Sequence, residues 1–323
     1  MVLKMLKQGS PEFVSGEEIC RSLNVTRTAV WKNIKALKED GYKIEARPRA
    51  GYLFKSAPDI PYPGEIREGL VTRVFGRKVY YYDSAPSTNV LARELAQKGA
   101  PEGALVITEE QTGGKGRLGR GWHSPRGMGL WFSLIFRPPA APAQAVQLTI
   151  LAAVALTEAI RKETGLPVGI KWPNDLLFDG KKICGILTEM SAEMERVNYL
   201  VIGAGINVGQ SARDFAEEVR DTATSLFLAL NRPVSRVKLL QSILESTEKW
   251  YDRWLAEGFT PVLGRWKELS VTLRRPVRIH SFNETWDGWA EDLDEEGALI
   301  VQMPDRSRRK VVSGEVSLRL DLT

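Results

Sequence analysis

The sequence predicts a multidomain α+β protein of 323 residues. A winged helix-turn-helix is expected over 1–62, a mixed α/β domain over 63–270, and a small SH3-like β-barrel over 271–323. Three observations lead there. The excess positive charge is confined to the first sixth of the chain. Strand-like and helix-like runs alternate from about 65 to 270. From Val271 onward only short strands and tight turns remain.

Residues 1–56 hold eleven Lys/Arg against six Asp/Glu, whereas the 34 cations and 34 anions of the remainder cancel. Such asymmetry points to a nucleic-acid surface in this segment. Ser15-Gly16-Glu17-Glu18 is a capping box that predicts a helix to about Leu23, with Ile19 and Leu23 on one face. Asn24-Val25 makes a short turn. Thr26 then caps a second helix in which Val30, Ile34 and Leu37 recur at i, i+4 and i+7. The opposite face carries Arg27, Thr28, Lys32 and Lys35. An apolar back and a basic front suit a helix entering a major groove.

Gly41 ends that helix. Strands at 42–46 and 52–55 flank Arg47-Pro48-Arg49-Ala50-Gly51, a basic hairpin tip that reads as a wing. Arg27, Thr28, Lys32, Lys35 and Arg49 are the predicted DNA contacts, phosphate being the favoured partner of any one of them. A small helical packing domain with a solvated charged face is the alternative. The capped helix pair, the wing and the local charge together argue against it. Pro58, Pro61 and Pro63 mark a stiff linker and a domain boundary.

In the central segment, strands are expected at 79–82, 105–109, 129–136, 182–189 and 197–204, and helices at 89–98, 143–164 and 235–257. Two cysteines, Cys20 and Cys184, and two histidines, His123 and His280, are too few and too scattered for a disulfide framework, a zinc cluster or a Ser–His–Asp triad. The cysteines read as buried structural thiols. No stretch approaches the roughly 20 apolar residues of a membrane helix. The N-terminus is too broken by Lys, Gly and Pro for a signal peptide. The expected location is cytoplasmic, with no membrane partner.

The most informative stretch, 113–122, holds five glycines and three cations in ten residues directly after a predicted strand. Glycines bring backbone N–H donors close to a ligand, and interleaved Lys and Arg place charge against an anion such as phosphate. The spacing is neither a Walker A loop nor G-x-G-x-x-G. Taken alone, it is equally a flexible basic surface loop. Lys171-Trp172-Pro173-Asn174-Asp175 reads as a compact polar turn after a short apolar strand. Gly180-Lys181-Lys182-Ile183-Cys184-Gly185-Ile186 starts the next strand with a lysine among apolar neighbours. Such a lysine is ordinarily a solvated stem. Gly203-Ala204-Gly205-Ile206-Asn207 reads as a tight glycine turn. Ser87-Thr88-Asn89 sits at a strand-to-helix junction, where capping is the plain explanation.

These five motifs, in this order, resemble those of biotin–protein ligases. The whole architecture resembles the bifunctional kind, which adds a winged helix and represses the biotin operon. The resemblance covers essentially the entire chain, and the glycine–basic loop followed by KWPND is specific in combination. It implies an ATP-dependent biotin–[acetyl-CoA-carboxylase] ligase. The glycine–basic loop would close over biotin and the adenylate through Lys115, Gly116 and Arg117. Lys115 stands where some members have Arg, which keeps the charge but loses bidentate geometry.

On the same resemblance, Ser87, Thr88, Asn89 and Gln111 line the biotin pocket, and Lys182 contacts the biotin carboxylate side. Lys115, Arg117, Arg120, Trp122, Asp175, Asn207 and Arg319 serve ATP, with Asp175 also a Mg²⁺ ligand. Lys182, Arg117 and Lys115 carry the chemistry: biotin and ATP give biotinyl-5′-AMP, and a lysine of the biotin carboxyl carrier protein then displaces AMP. Trp131, Leu134 and Ile186 are candidate apolar walls of the biotin site, with an ordinary core role equally open. The adenylate would act as corepressor, driving homodimers onto operator DNA. A ligand-sensing repressor without ligase activity and a lipoate–protein ligase are the competing readings. The intact loop with Lys182 argues against the first, and the loop followed by KWPND against the second.

For the C-terminal segment, strands are expected at 277–281, 285–292, 298–303, 308–312 and 316–320.

Overall fold

The structure is a computed structural model that describes residues 1–280, 284–312 and 314–318. The chain forms two compact units, Met1–Ile60 and Pro61–Thr323.

The first unit contains helices α1 (Val2–Gly9), α2 (Gly16–Leu23) and α3 (Arg27–Glu39), then strands β1 (Lys43–Arg47) and β2 (Gly51–Ser56). The two expected caps form. The Ser15 hydroxyl accepts from the Glu18 amide at 3.0 Å, and the Thr26 hydroxyl from the Ala29 amide at 3.2 Å. Val30 and Ile34 are buried beneath α3 beside Ile19 of α2. β1 and β2 pair antiparallel, closing at Arg47↔Gly51. Arg49 adopts a left-handed φ of 66° in the tip. Helix α1 was not expected. It has no side-chain cap and buries only Val2 and Leu6, so its sequence signal is short, and packing against α2, α3 and β2 supports it.

The second unit begins with α4 (Pro63–Arg67), which uses Pro63 at its first position. There follow β3 (Val79–Tyr82), α5 (Thr88–Gln97), β4 (Leu105–Thr108), β5 (Gly129–Phe136), α6 (Ala145–Thr164), β6 (Gly169–Lys171), β7 (Asp175–Phe178), β8 (Lys181–Glu193) and β9 (Arg196–Asn207). Then come α7 (Leu226–Leu230), α8 (Arg236–Glu257), α9 (Thr260–Leu269), and strands β10 (Arg275–His280), β11 (Thr285–Leu293), β12 (Leu299–Gln302), β13 (Arg308–Val311) and β14 (Glu315–Leu318).

Seven strands make one mixed sheet in the order β3-β4-β5-β9-β8-β7-β6. Only β3 and β4 run parallel; the other neighbours are antiparallel. Alternation sends successive side chains to opposite faces. Phe132, Leu134, Ile186, Ile202 and Ala204 belong to a core shared with α6 and α8. Ile135, Val201 and Tyr199 form a smaller cluster with Ala92 and Ala96 of α5 on the other face.

Two segments differ from what the sequence predicts. The segment Pro142–Thr164 is long and apolar enough to cross a membrane by composition, its most apolar 18 residues reaching a mean hydropathy of 1.5, contrary to the reading that no stretch comes near. It is mostly buried instead: α6 packs against α8, α9 and the sheet, so its all-round apolarity serves a core. The Gly203–Asn207 segment is not a turn but the end of β9, paired with β5 and β8.

The five C-terminal strands form an antiparallel sheet ordered β13-β12-β11-β10-β14. Among the described residues β13 and β14 do not pair, so the closure expected of a barrel is not observed. The sheet is tied to the rest of the unit through Trp172. Its amide donates to the Thr272 hydroxyl at 2.8 Å and its indole N–H to the Gly297 carbonyl at 3.2 Å.

Candidate functional site

The site lies on the α5 face of the seven-stranded sheet and is built on glycines. Gly185 of β8 and Gly205 of β9 are register partners, and Trp131 of β5 stands opposite Gly205. A Cβ at Gly205 would lie 2.3 Å from Trp122 Nε1, and one at Gly185 would lie 3.1 Å from Trp122 Cζ3. The Trp122 ring therefore rests on bare backbone. A Cβ at Gly203 would lie 1.9 Å from Asn89 Oδ1. The strand glycines are clearances for two side chains, which is why they mimic a turn signal in sequence.

Lys182 reaches this face because β8 bulges. Leu176 pairs with Cys184 but Leu177 pairs with Lys182, so Ile183 is an extra residue. Without it, Lys182 would share the face of buried Cys184; with it, Lys182 joins Asp175 and Gly185. Its Nζ is 2.6 Å from Asp175 Oδ1 and 5.2 Å from the centre of the Trp122 ring. The backbone of Lys182 is held on its other edge by Thr222 and Thr224 at 2.7 and 3.0 Å. Lys182 is thus an ordered, partly buried cation and not a solvated stem. Burial pushes the neighbouring Cys184 thiol far up, leaving it inert.

The glycine–basic loop is a small hairpin. Lys115 bridges Gly121, Gln111 bridges Ser124, and a single 3₁₀ turn at Arg117–Gly119 forms the tip. Leu118 there has a φ of 56°. The hairpin base is secured by a buried two-point ion pair: Arg236 donates to Glu109 at 3.1 and 3.0 Å. Arg117 donates to Asn174 Oδ1 at 3.3 Å and to the Gly314 carbonyl at 3.2 Å. Both acceptors are neutral, so among the described residues these contacts add no counter-charge. Asn174 is itself fixed, donating to the Ile186 carbonyl at 2.5 Å. Lys115 and Arg120 lie exposed on the hairpin.

The remaining predicted residues form a polar network. Gln111 Oε1 accepts from the Thr88 amide at 2.9 Å and from its hydroxyl at 3.2 Å, while Nε2 donates to Ser124 at 2.9 Å. Ser133 Oγ lies 2.8 Å from the Thr88 hydroxyl and 2.7 Å from Asn89 Oδ1. Asn89 donates to Glu189 at 2.8 Å. Ser87 is buried at the start of α5, yet its hydroxyl makes no cap there, so capping does not account for it. Ser124, Ser133 and Glu189 were not anticipated; no motif marks them, and only strand pairing brings them in.

Leu134 and Ile186 sit in the α6/α8 core, on the wrong face for walls of this site, while Trp131 is on the right one. Asn207 is buried and engaged on both sides, donating to Thr224 and accepting from Gln210, each at 3.0 Å. Arg319 lies outside the described residues. Among the described residues no three His, Cys, Asp or Glu side chains form a metal cage. A single carboxylate such as Asp175, joined by substrate phosphates, is the usual way Mg²⁺ is held. The residues therefore fit an ion carried by a nucleotide. Trp122 Nε1 is buried without an acceptor, a donor that a ligand can satisfy.

In the first unit, Arg27, Thr28, Lys32, Lys35 and Arg49 are all exposed, the first four along α3 and the last in the wing.

Residues 81–207 match the biotin/lipoate A/B protein ligase family, 2–53 an HTH domain, and 272–319 the biotin protein ligase C-terminal domain. The bifunctional ligase/repressor BirA of Bacillus subtilis is 42% identical over 317 residues, covering 98% of this chain and 97% of its own. That of Escherichia coli is 29% identical, covering 95% and 94%. The biotin protein ligase of Aquifex aeolicus, solved with biotin and ATP, superposes with a TM-score of 0.65 at 28% identity, covering 75% of this chain and 99% of that one. The first family description alone spans biotin and lipoate enzymes; the full-length relatives separate them. The chain belongs to the bifunctional biotin–protein ligase/repressor family.

Proposed function

We propose that the chain joins biotin to a lysine of the biotin carboxyl carrier protein of acetyl-CoA carboxylase at the expense of ATP, and represses transcription in the cytoplasm through its N-terminal unit. The observation that carries the ligase reading is the bulge that turns Lys182 onto the glycine floor beneath the Trp122 hairpin. A plain ligand sensor has no need of a lysine placed this way.

In the first half-reaction a biotin carboxylate oxygen bonds to the α-phosphorus of ATP, the bond to pyrophosphate breaks, and biotinyl-5′-AMP forms. Two anions must meet, so cations are required. Arg117, whose two described acceptors are both neutral, and Lys115 and Arg120 on the same hairpin offset the repulsion. Asp175 would hold a nucleotide-borne Mg²⁺, which supplies further charge neutralisation, and Lys182 then exchanges Asp175 for the biotin carboxyl oxygen. In the second half-reaction the carrier lysine amine attacks the acyl carbon, an amide forms, and AMP leaves with the electron pair of the broken C–O bond. Lys182 stabilises charge on the acyl oxygen. Such a donor supplies roughly 3–4 kcal/mol of transition-state stabilisation. The Gln111–Thr88–Ser133–Asn89 network lines the pocket for the ureido ring, with Trp131 at its floor and the Trp122 indole against the nucleotide. Closure of the hairpin keeps water from the anhydride. The segment from 271 onward, read as an SH3-like barrel, and Arg319 contribute to ATP and carrier binding.

The adenylate is also the signal: the bound form dimerises and places α3 and the wing of each copy on operator DNA through Arg27, Thr28, Lys32, Lys35 and Arg49. Mixing the protein with biotin, MgATP and a carrier fragment, then weighing the fragment, tests the ligase. One biotin per fragment, lost in Lys182→Ala and Arg117→Ala, is the expected result. No gain would remove the ligase reading.

A further inference from the structure

The basic face of α3 carries one residue that its charge does not explain. Trp31 is 55% exposed, although tryptophan is a residue that folding ordinarily covers. It stands one turn after Arg27 and one turn before Lys35, on the flank of the helix, about 80° around from the stripe of Val30 and Ile34, which are buried. The Lys35 ammonium lies 5.8 Å from the ring centre, so the indole is held among the cations and away from the core. It is the fifth residue of the helix, in the N-terminal half that reaches base edges when such a helix enters a groove.

We infer that Trp31 is a specificity-determining residue of the DNA-binding unit, reading the C5-methyl group of a thymine in the major groove. The inference rests on the proposal that α3 faces DNA. The surrounding groups are suited to phosphates: Arg27, Lys32 and Lys35 are long cations, and phosphate contacts carry no sequence information. The indole is flat, apolar and unable to neutralise a phosphate. In the major groove its natural apolar partner is the thymine methyl, and its single N–H finds acceptors on the same A·T edge. Cations in such a front can read guanine edges, but they do not recognise a methyl group; one exposed ring adds the apolar, thymine-dependent contact that they do not make.

The test uses the full chain with biotin and MgATP. A duplex is first selected from a randomised library by the wild-type protein. Each thymine of the selected duplex is then replaced by uracil, which lacks only the C5-methyl group. Binding is measured for wild type, Trp31→Ala and Trp31→Phe, with thermal melts to confirm that all three fold. Loss of one methyl contact weakens wild-type binding about fourfold. Trp31→Ala binds about tenfold more weakly and is indifferent to uracil at that same position, while its salt dependence is unchanged. Trp31→Phe retains part of the methyl sensitivity. Wild-type indifference to uracil at every position would overturn the inference, as would undiminished uracil sensitivity in Trp31→Ala. A library that yields no enriched duplex would overturn the DNA reading itself, and this inference with it.

Discussion

Gly205→Ala is a one-carbon change whose effect can be worked out from the floor of the site. The new Cβ would lie 2.3 Å from Trp122 Nε1 and 2.6 Å from Cε2, where ordinary contact begins at 3.4 Å. The ring must therefore lift by about 1 Å, since β9 is the central strand here and cannot yield: it is paired on both sides, with β5 and β8. Lifting the ring also draws it from Lys182, whose Nζ now faces it at 5.2 Å. A misplacement of about 1 Å at a reacting centre costs on the order of 10²-fold in rate. Gly205→Ala is expected to lower kcat/KM for adenylate formation by about that factor, read as biotin-dependent exchange of pyrophosphate into ATP. Trp122→Ala removes the clash, so adding Gly205→Ala to it costs almost nothing. The two losses are then strongly non-additive. A Gly205→Ala enzyme within threefold of wild type, or additive losses in the double variant, would refute the idea that this glycine exists to admit the indole.

Three more outcomes are expected. Asn174→Ala removes the donor to the buried Ile186 carbonyl and one of the two Arg117 acceptors, costing about 1–3 kcal/mol of stability, seen as a lower Tm in calorimetry; an unchanged Tm would count against it. Burial alone pushes the Glu248 carboxyl up, but N–H donors from Arg73, Phe75 and Val74 outweigh it and hold the group below the usual carboxylate range. Its contribution is then complete above the unfolded pKa, about 4.3, and lost as pH falls through the lower folded value, so denaturant titrations should show an acid loss that Glu248→Gln reduces. Lys32→Ala and Arg49→Ala should each reduce the slope of log K against log salt for operator binding by about one, and an unaltered slope would remove that residue from the phosphate contacts.

Much of this molecule is local in origin and therefore legible in one dimension. Both caps of the helix pair, the wing hairpin, the glycine–basic loop and the long helices α6 and α8 depend on residues near one another in the chain. Their signals survive without knowledge of the fold. Helix α1 was too short and too sparsely apolar to announce itself, and α6 was so apolar throughout that composition alone does not distinguish core from membrane.

The sequence by itself determined which chemical groups are present, in which order, and that a basic DNA-type unit precedes a nucleotide-type site. Tertiary structure decided which of those groups meet. Leu134 and Ile186 fell to the core face, and Ser124, Ser133 and Glu189 joined the site, through strand alternation and pairing. One extra residue in β8 turned Lys182 from the core face to the site face. Gly203 and Gly205, read as a turn, became the space that Asn89 and Trp122 occupy. The physical reason is common to all three. Strand register and close approach are relations between segments far apart in sequence, and a shift of one residue reverses the face on which every later side chain stands.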